Sequence, residues 1–181
     1  MSGFSDTWLI VPCYNEGTVI FDVLTNARET FPNIVGVNDG SADDSAARIR
    51  AAGAHLVDHP VNLGQGAAIQ TGVEYARAQP GAKYFVTFDA DGQHQVKDVT
   101  RMIERLRTEP LDIIVGTRFA GQENSQVPWI KRAVLKTVVM LSPRTKKLGL
   151  TDAHNGLRAF NRTVAEEMNI RMNGMSHASE I

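Results

Sequence analysis

Short apolar runs punctuate the chain at Trp8 to Val11, Ile34 to Val37, His55 to Val57, Tyr84 to Phe88 and Leu111 to Val115. Most are rich in β-branched or aromatic residues, which marks them as strands. The segments between them carry a longer period. Val19, Ile20, Val23, Leu24, Ala27 and Phe31 recur every three to four residues, and so do Ala67, Ala68, Thr71, Gly72, Tyr75 and Ala76. These stretches predict helices, as does the amphipathic stretch from Asp98 to Leu106. Strands that alternate with helices are joined by crossovers, so the expected fold class is α/β, with a Rossmann-like, mostly parallel sheet and helices on both faces. Beyond Pro128 the pattern changes. A helix is expected through Leu135 to Leu141, then Pro143, a basic stretch from Arg144 to Lys147, and a last helix over Thr163 to Met168. Ser176 offers an N-cap for another helix that Ile181 cuts short. Residues 1–181 are therefore expected to be a single domain truncated at its C-terminal end.

Composition narrows the function classes. With 181 residues, 43% hydrophobic and 22% charged, the chain suits one globular α/β domain. One cysteine supports neither a disulfide framework nor a cysteine-built zinc site, and a reducing, cytoplasmic compartment is the simplest reading. Nineteen basic against twenty acidic side chains leave no global field for nucleic acid, so no nucleic-acid partner is expected. Ala133 to Leu141, interrupted by Lys136, is far shorter than the ~20 residues of a bilayer span. The N-terminus lacks the basic and apolar regions of a secretory signal. Oligomeric state is not fixed by any of these features.

In open parallel sheets, ligands sit beyond the carboxyl ends of the strands. Four of those ends here are polar: Pro12 to Gly17, Asn38 to Ser41, Asp89 to His94, and Gly116 to Phe119. Any one such loop is ordinary turn chemistry; four on one edge point to a site. Asp89 and Asp91, one residue apart, can approach a common hard cation, with Gly92 permitting a tight turn and Gln93 adding a neutral oxygen. Mg²⁺ or Mn²⁺ held by so few side chains takes its remaining ligands from water and a diphosphate, which favours a phosphorylated substrate over a closed structural site. Asp39 follows the second strand, but the first loop is not G-x-G-x-x-G, which disfavours a nicotinamide cofactor. Gly64-Gln65-Gly66 either turns backbone N–H groups toward an anion or simply shapes a helix entry; no Walker Lys-Ser/Thr pair follows it. Cys13 reads as a small packed residue. His94 is either a ligand of the site or a surface-turn residue, and His177 and Glu180 lie in the short end segment without an assigned role.

In order and spacing, VPCYNEG (Val11 to Gly17), VNDGSADDS (Val37 to Ser45), NLGQGAAIQTG (Asn62 to Gly72), FDADGQH (Phe88 to His94), GTRF (Gly116 to Phe119) and TDAHNGLRAFNR (Thr151 to Arg162) span nearly the whole chain. Together they resemble the family 2 glycosyltransferases with a GT-A fold, in the branch of dolichyl-phosphate mannose synthase and bacterial polyprenyl-phosphate glycosyltransferases. The resemblance implies that Pro12, Tyr14, Glu16, Asp39, Asp89 and Ala90 bind the nucleotide-sugar, and that Asp89, Asp91 and Gln93 hold Mg²⁺ or Mn²⁺. It also implies that Arg118 and Arg132 face an acceptor phosphate, a task that suits the guanidinium fork. For Arg132, beside Lys131, a solvated basic face is the alternative. Asp91, Arg118 and Asp152 become the catalytic candidates, and Asn155 and Arg158 belong to the second tier near the sugar and acceptor. Two departures stand out. Asn38 occupies a position where many relatives have an acid, and Gln65 one where they have Lys or Arg, changes expected to alter nucleotide or sugar preference.

The reaction so implied moves a sugar with inversion from a nucleotide-diphosphate sugar to a polyprenyl phosphate, dolichyl or undecaprenyl. An anionic phosphate acceptor needs no strong base, and the sequence offers no unambiguous one. Two alternatives stay open: the same donor chemistry onto a saccharide hydroxyl in cell-surface polysaccharide synthesis, with Asp152 as base, and a non-catalytic nucleotide-sugar-binding module. A lipid acceptor would bring the protein to the cytoplasmic membrane face. Lys131, Arg132, Arg144, Lys146 and Lys147 lie in or near an expected helix from Trp129 to Leu141, which either lies at the headgroups as a peripheral contact or is an ordinary buried helix.

Overall fold

The computed structural model describes residues 3–90, 95–116 and 157–170. They form a six-stranded sheet: β1 (Thr7–Cys13), β2 (Asn33–Asp39), β3 (His55–His59), β4 (Tyr84–Thr87), β5 (Ile113–Val115) and β6 (Arg158–Asn161). In space the order is β3-β2-β1-β4-β6-β5. The first four strands are parallel, whereas β6 enters between β4 and β5 antiparallel to both. Five helices accompany the sheet: α1 (Ile20–Arg28), α2 (Ser45–Ala51), α3 (Gln65–Arg77), α4 (Val96–Thr108) and α5 (Arg162–Glu167). The expected α/β class with a mostly parallel sheet is what the chain adopts.

Alternation along the central strands divides the core in two. Leu9, Val11 and Cys13 of β1 face the layer that holds Leu24 of α1, Ile49 of α2 and Ile103 of α4. Trp8 and Ile10 face the opposite layer, with Ile69 and Val73 of α3 and Ala165 of α5. Because both faces are covered, β1 and β2 are apolar nearly throughout rather than alternating. Two glycines let helices approach closely. A Cβ on Gly36 of β2 would lie 2.7 Å from Ile49, and one on Gly72 of α3 would lie 2.4 Å from Ile10. The apolar stripe of α4, Val99, Met102, Ile103 and Leu106, turns inward at helical spacing. Asn161 caps α5, its Oδ1 accepting from the Val164 N–H at 3.1 Å.

Four helices and five strands foreseen from periodicity are present, with ends displaced by a few residues. The structure adds two elements. Helix α2 has Ile49 as its only large apolar residue, too little for a visible stripe. Strand β6 is four residues long and interleaves polar Arg158 and Asn161 with apolar Ala159 and Phe160. The expected helices at Leu135 to Leu141 and Ser176 to Ile181 lie outside the described residues. Among the described residues, no helix is long and apolar enough to cross a membrane.

Candidate functional site

The carboxyl ends of β1, β2, β3 and β4 share one edge of the sheet, and the loops leaving them are tied together by side chains. The loop after β1 turns at Asn15, whose left-handed φ of 57° suits asparagine. Its backbone is strapped to the β2–α2 loop. Asn15 N–H donates to Ser41 Oγ at 2.9 Å, Glu16 N–H to Ser45 Oγ at 3.0 Å, and Gly17 N–H to Asp43 Oδ2 at 2.9 Å. In return, Asn15 Oδ1 accepts from the Ala42 N–H at 2.9 Å. Asp43 Oδ1 also accepts from the Ser45 N–H and hydroxyl, at 3.0 and 2.5 Å. The Ser45 hydroxyl, followed by the backbone N–H groups, holds the Asp43 carboxyl below the ordinary carboxylate range. With its backbone thus fixed, the loop leaves the Tyr14 side chain 50% exposed at the rim. Pro12 and Glu16 are partly exposed beside it. Cys13 is buried, and burial pushes its thiol up, in keeping with a packed residue rather than a thiolate nucleophile.

Asp39 performs a task inside the chain. It is 2% exposed, and its Oδ1 accepts from His59 Nδ1 at 2.8 Å and the Leu63 N–H at 2.9 Å. Its Oδ2 accepts from the Gly64 N–H at 2.8 Å. The carboxylate expected at the nucleotide therefore holds the entry to α3. Gly64 enters that helix at φ 94° with its N–H directed at Asp39, the helix-entry reading of Gly64-Gln65-Gly66. Gly40, at φ 70°, is similarly constrained: a Cβ there would lie 2.5 Å from the backbone of Val61 and Asn62.

Asn38 points to the other face. Its Nδ2 donates to Asp58 Oδ1 at 2.6 Å, and its buried Oδ1 has no hydrogen-bond partner. An acid at this position would oppose Asp58, so the amide is explained by its β3 neighbour.

At the end of β4, Asp89 is partly exposed and Ala90 buried. Gln65 at the start of α3 reaches it, Nε2 standing 3.5 Å from Asp89 Oδ1. Arg158 on β6 is 4% exposed and pairs in register with Thr87; its N–H donates to Thr87 Oγ1 at 3.2 Å. Burial pushes its guanidinium below the ordinary arginine range, and the charge of Asp89 opposes that shift. A buried cation is thus set beside the first aspartate of the Asp-x-Asp pair. Asp91, Gln93, His94, Arg118, Arg132, Asp152, Asn155, His177 and Glu180 lie outside the described residues. Among the described residues no group of three His, Cys, Asp or Glu side chains converges as a metal cage. Of the expected metal ligands Asp89, Asp91 and Gln93, Asp89 is the one among the described residues, and its carboxylate is a hard oxygen donor of the kind Mg²⁺ or Mn²⁺ takes.

Residues 8–168 match the sequence pattern of glycosyl transferase family 2. The chain belongs to that family. Among relatives of this family 2 transferase, an uncharacterised protein of Methanocaldococcus jannaschii is 32% identical over 165 residues, covering 90% of this chain and 68% of that protein. The UDP-N-acetylglucosamine–dolichyl-phosphate N-acetylglucosaminyltransferase of Methanococcus voltae is 29% identical, over 86% of this chain and 69% of its own length. Polyprenol monophosphomannose synthase of Mycolicibacterium smegmatis is 27% identical, over 91% and 64%. A crystal structure of glucosyl-3-phosphoglycerate synthase from Mycobacterium tuberculosis with Mn²⁺, UDP-glucose and phosphoglyceric acid has a TM-score of 0.68 at 18% identity, over 96% of this chain and 62% of that one. That likeness establishes the GT-A-like fold. The chain spans 62 to 69% of the length of these proteins.

Three residues of the site escaped the sequence reading. Asp43 and Ser45 belong to the VNDGSADDS motif, yet their pairing with Glu16 and Gly17 crosses more than twenty-five positions. For His59 the one sequence signal is its place at the end of β3, on the same edge.

Proposed function

We propose that this family 2 transferase moves a sugar from a nucleotide-diphosphate sugar to a polyprenyl phosphate, by a metal-dependent, inverting displacement. The observation that carries the donor half is the convergence at one sheet edge of the strapped loop bearing Tyr14 and Glu16 with Asp89 of the Asp-x-Asp pair. Pro12, Tyr14 and Glu16 line the nucleotide pocket, and Asp39 shapes its side through Leu63 and Gly64. The acceptor half is supported by two relatives named for transfer to dolichyl phosphate and for polyprenol monophosphomannose synthesis.

Asp89 and Asp91, with Gln93, would hold Mg²⁺ or Mn²⁺, which when bound neutralises the charge gathering on the departing diphosphate. An acceptor phosphate oxygen attacks the anomeric carbon from the face opposite the diphosphate. One C–O bond forms, the other breaks, and the nucleoside diphosphate leaves with the electron pair. Arg118 and Arg132 orient the acceptor phosphate through charge-assisted forks. No proton need be removed from a phosphate already ionised near neutral pH. A saccharide hydroxyl would require a base, and Asp152 is the residue for that role. A lipid acceptor would bring the reaction to a membrane surface, with Lys131, Arg132, Arg144, Lys146 and Lys147 meeting anionic headgroups.

Calorimetric titration of the full chain with UDP, GDP, UDP-glucose and GDP-mannose, with and without Mn²⁺, tests the donor half. One nucleotide is expected to bind only with Mn²⁺, and Asp91→Ala to abolish it; absence of binding across the panel would refute the reading. Transfer to a polyprenyl phosphate that falls in Arg132→Ala, while donor affinity holds, supports the acceptor. Transfer to a saccharide hydroxyl alone would overturn it.

A further inference from the structure

His59, at the end of β3, carries an inference that rests on the donor-site reading. Its side chain is 9% exposed and bridges two elements. Nδ1 stands 2.8 Å from Asp39 Oδ1, and Nε2 stands 3.0 Å from Thr71 Oγ1 in the second turn of α3. A carboxylate only accepts, so the proton on this side belongs to Nδ1. Asp39 in turn receives the Leu63 and Gly64 N–H groups, and the next residue, Gln65, has its amide at Asp89. A continuous chain of contacts therefore runs from Thr71 through His59 and Asp39 to the start of α3, and from there to the first aspartate of Asp-x-Asp.

We propose that His59 is a positioning residue of the transferase: by fixing the Asp39 carboxylate it sets the 61–64 loop and directs Gln65 toward Asp89, so that the donor pocket is preformed before ligand arrives. The physical reason lies in Asp39's surroundings. The Leu63 and Gly64 N–H groups reach different oxygens of the carboxylate, Oδ1 and Oδ2, but both belong to the loop that is to be held. The imidazole, on β3 and braced by Thr71 of α3, adds a third contact at Oδ1 and ties the carboxylate with its loop to the sheet. Leu63, 43% exposed, and Val61, 58% exposed, then stand at the rim on a loop whose backbone is determined. A pocket that need not be ordered on binding loses less entropy when the nucleotide enters.

Asparagine and glutamine at position 59 separate this role from general packing. The Asn amide nitrogen falls near the place of Nδ1 and keeps the bond to Asp39, whereas Gln places its amide near Nε2 and leaves Asp39 without it. With UDP and GDP as probes, each with Mn²⁺, His59→Gln is expected to raise the Kd of the nucleotide that binds about tenfold, the scale of one lost hydrogen bond to a charged group. His59→Asn, which keeps the bond to Asp39 and loses the contact with Thr71, should fall between wild type and His59→Gln. Thr71→Val, which removes only the brace, should give an intermediate Kd and serves if His59→Gln fails to fold. Amide hydrogen exchange at Leu63 and Gly64 without nucleotide is a second readout: protection should be lost in His59→Gln and kept in His59→Asn. The proposal is overturned if His59→Gln and Thr71→Val bind as wild type does, if Asn and Gln are equally impaired, or if the two amides stay protected in His59→Gln. A wild-type chain that binds neither nucleotide overturns the donor reading instead, and the exchange result then still decides whether His59 sets the loop.

Discussion

Asp43→Ala tests the strap between the first two loops most directly. The substitution removes the acceptor of three donors: the Gly17 N–H, the Ser45 N–H and the Ser45 hydroxyl. Water can reach the Asp43 side, which argues for the low end of the usual hydrogen-bond range at the two backbone groups. The Ser45 hydroxyl is different, because Ser45 is fully buried and its donor would lose a partner that solvent replaces poorly. Together these give a loss of ~2 kcal/mol, equivalent to a fall in Tm of about 4–8 °C for a chain of this length. The control is its neighbour. Asp44 pairs with the exposed Arg48, four residues on, and makes no side-chain cap bond to α2, so Asp44→Ala should lower the melting midpoint clearly less than Asp43→Ala. Calorimetric melting and urea titration, with two-state behaviour verified, read both variants. The pH dependence has a definite sign. Asp43 is held below the ordinary carboxylate range when folded, so the contribution of its charge is complete above the unfolded value of about 3.9 and disappears as pH falls through the folded value. The gap between wild type and Asp43→Ala should be constant from neutral pH to about pH 5 and narrow below about pH 4, a neutral carboxyl still accepting in part from the N–H groups. Equal melting of Asp43→Ala and Asp44→Ala at pH 7, or a gap that widens in acid, would refute the strap.

Two further substitutions address the strands that carry these loops. Asn38→Asp sets a second carboxylate against Asp58 and should cost about 1–2 kcal/mol at pH 7; Asp58→Asn in the same chain should recover most of it, read as the coupling term of a double-mutant cycle in urea. Gly40→Ala combines left-handed strain of about 1–2 kcal/mol with a Cβ aimed at the backbone of residues 61–62. It should lower the urea midpoint and also weaken nucleotide binding, and unaltered binding would show that the 61–62 backbone does not shape the pocket.

Much of the framework was legible because it obeys local periods. The strands with two covered faces read as apolar runs, and α1, α3 and α4 as stripes. What escaped obeys no local period. Helix α2 is held by one isoleucine seated over Gly36, a contact that depends on the missing side chain of a strand residue. Strand β6 runs antiparallel between two strands of the opposite direction, and its four residues alone give no hint of that placement. The candidate site divides in the same way. Asp89 and Asp91 announce themselves because their chemistry lies in adjacent residue types, whereas His59 acquires meaning only when β3 is laid beside β2 and its ring meets Asp39.

Strand geometry explains how one short motif can carry so much of this edge. Successive residues of a strand point to opposite faces. At the end of β2, Asn38 therefore turns toward Asp58, while Asp39 turns toward His59 and the entry of α3. Immediately beyond, Gly40 allows the chain to pass against Val61 and Asn62, after which Ser41, Asp43 and Ser45 fold back onto the loop of β1. The segment from Asn38 to Ser45 thus fixes the loop on each side of it, one through buried side chains and the other through backbone N–H groups. Residues in such a segment can be indispensable to donor binding without touching the donor. Affinity lost on substituting Asp39 or Asp43 would by itself say nothing about contact, and only variants that preserve the internal hydrogen bond while changing the group, as His59→Asn does, can separate the two.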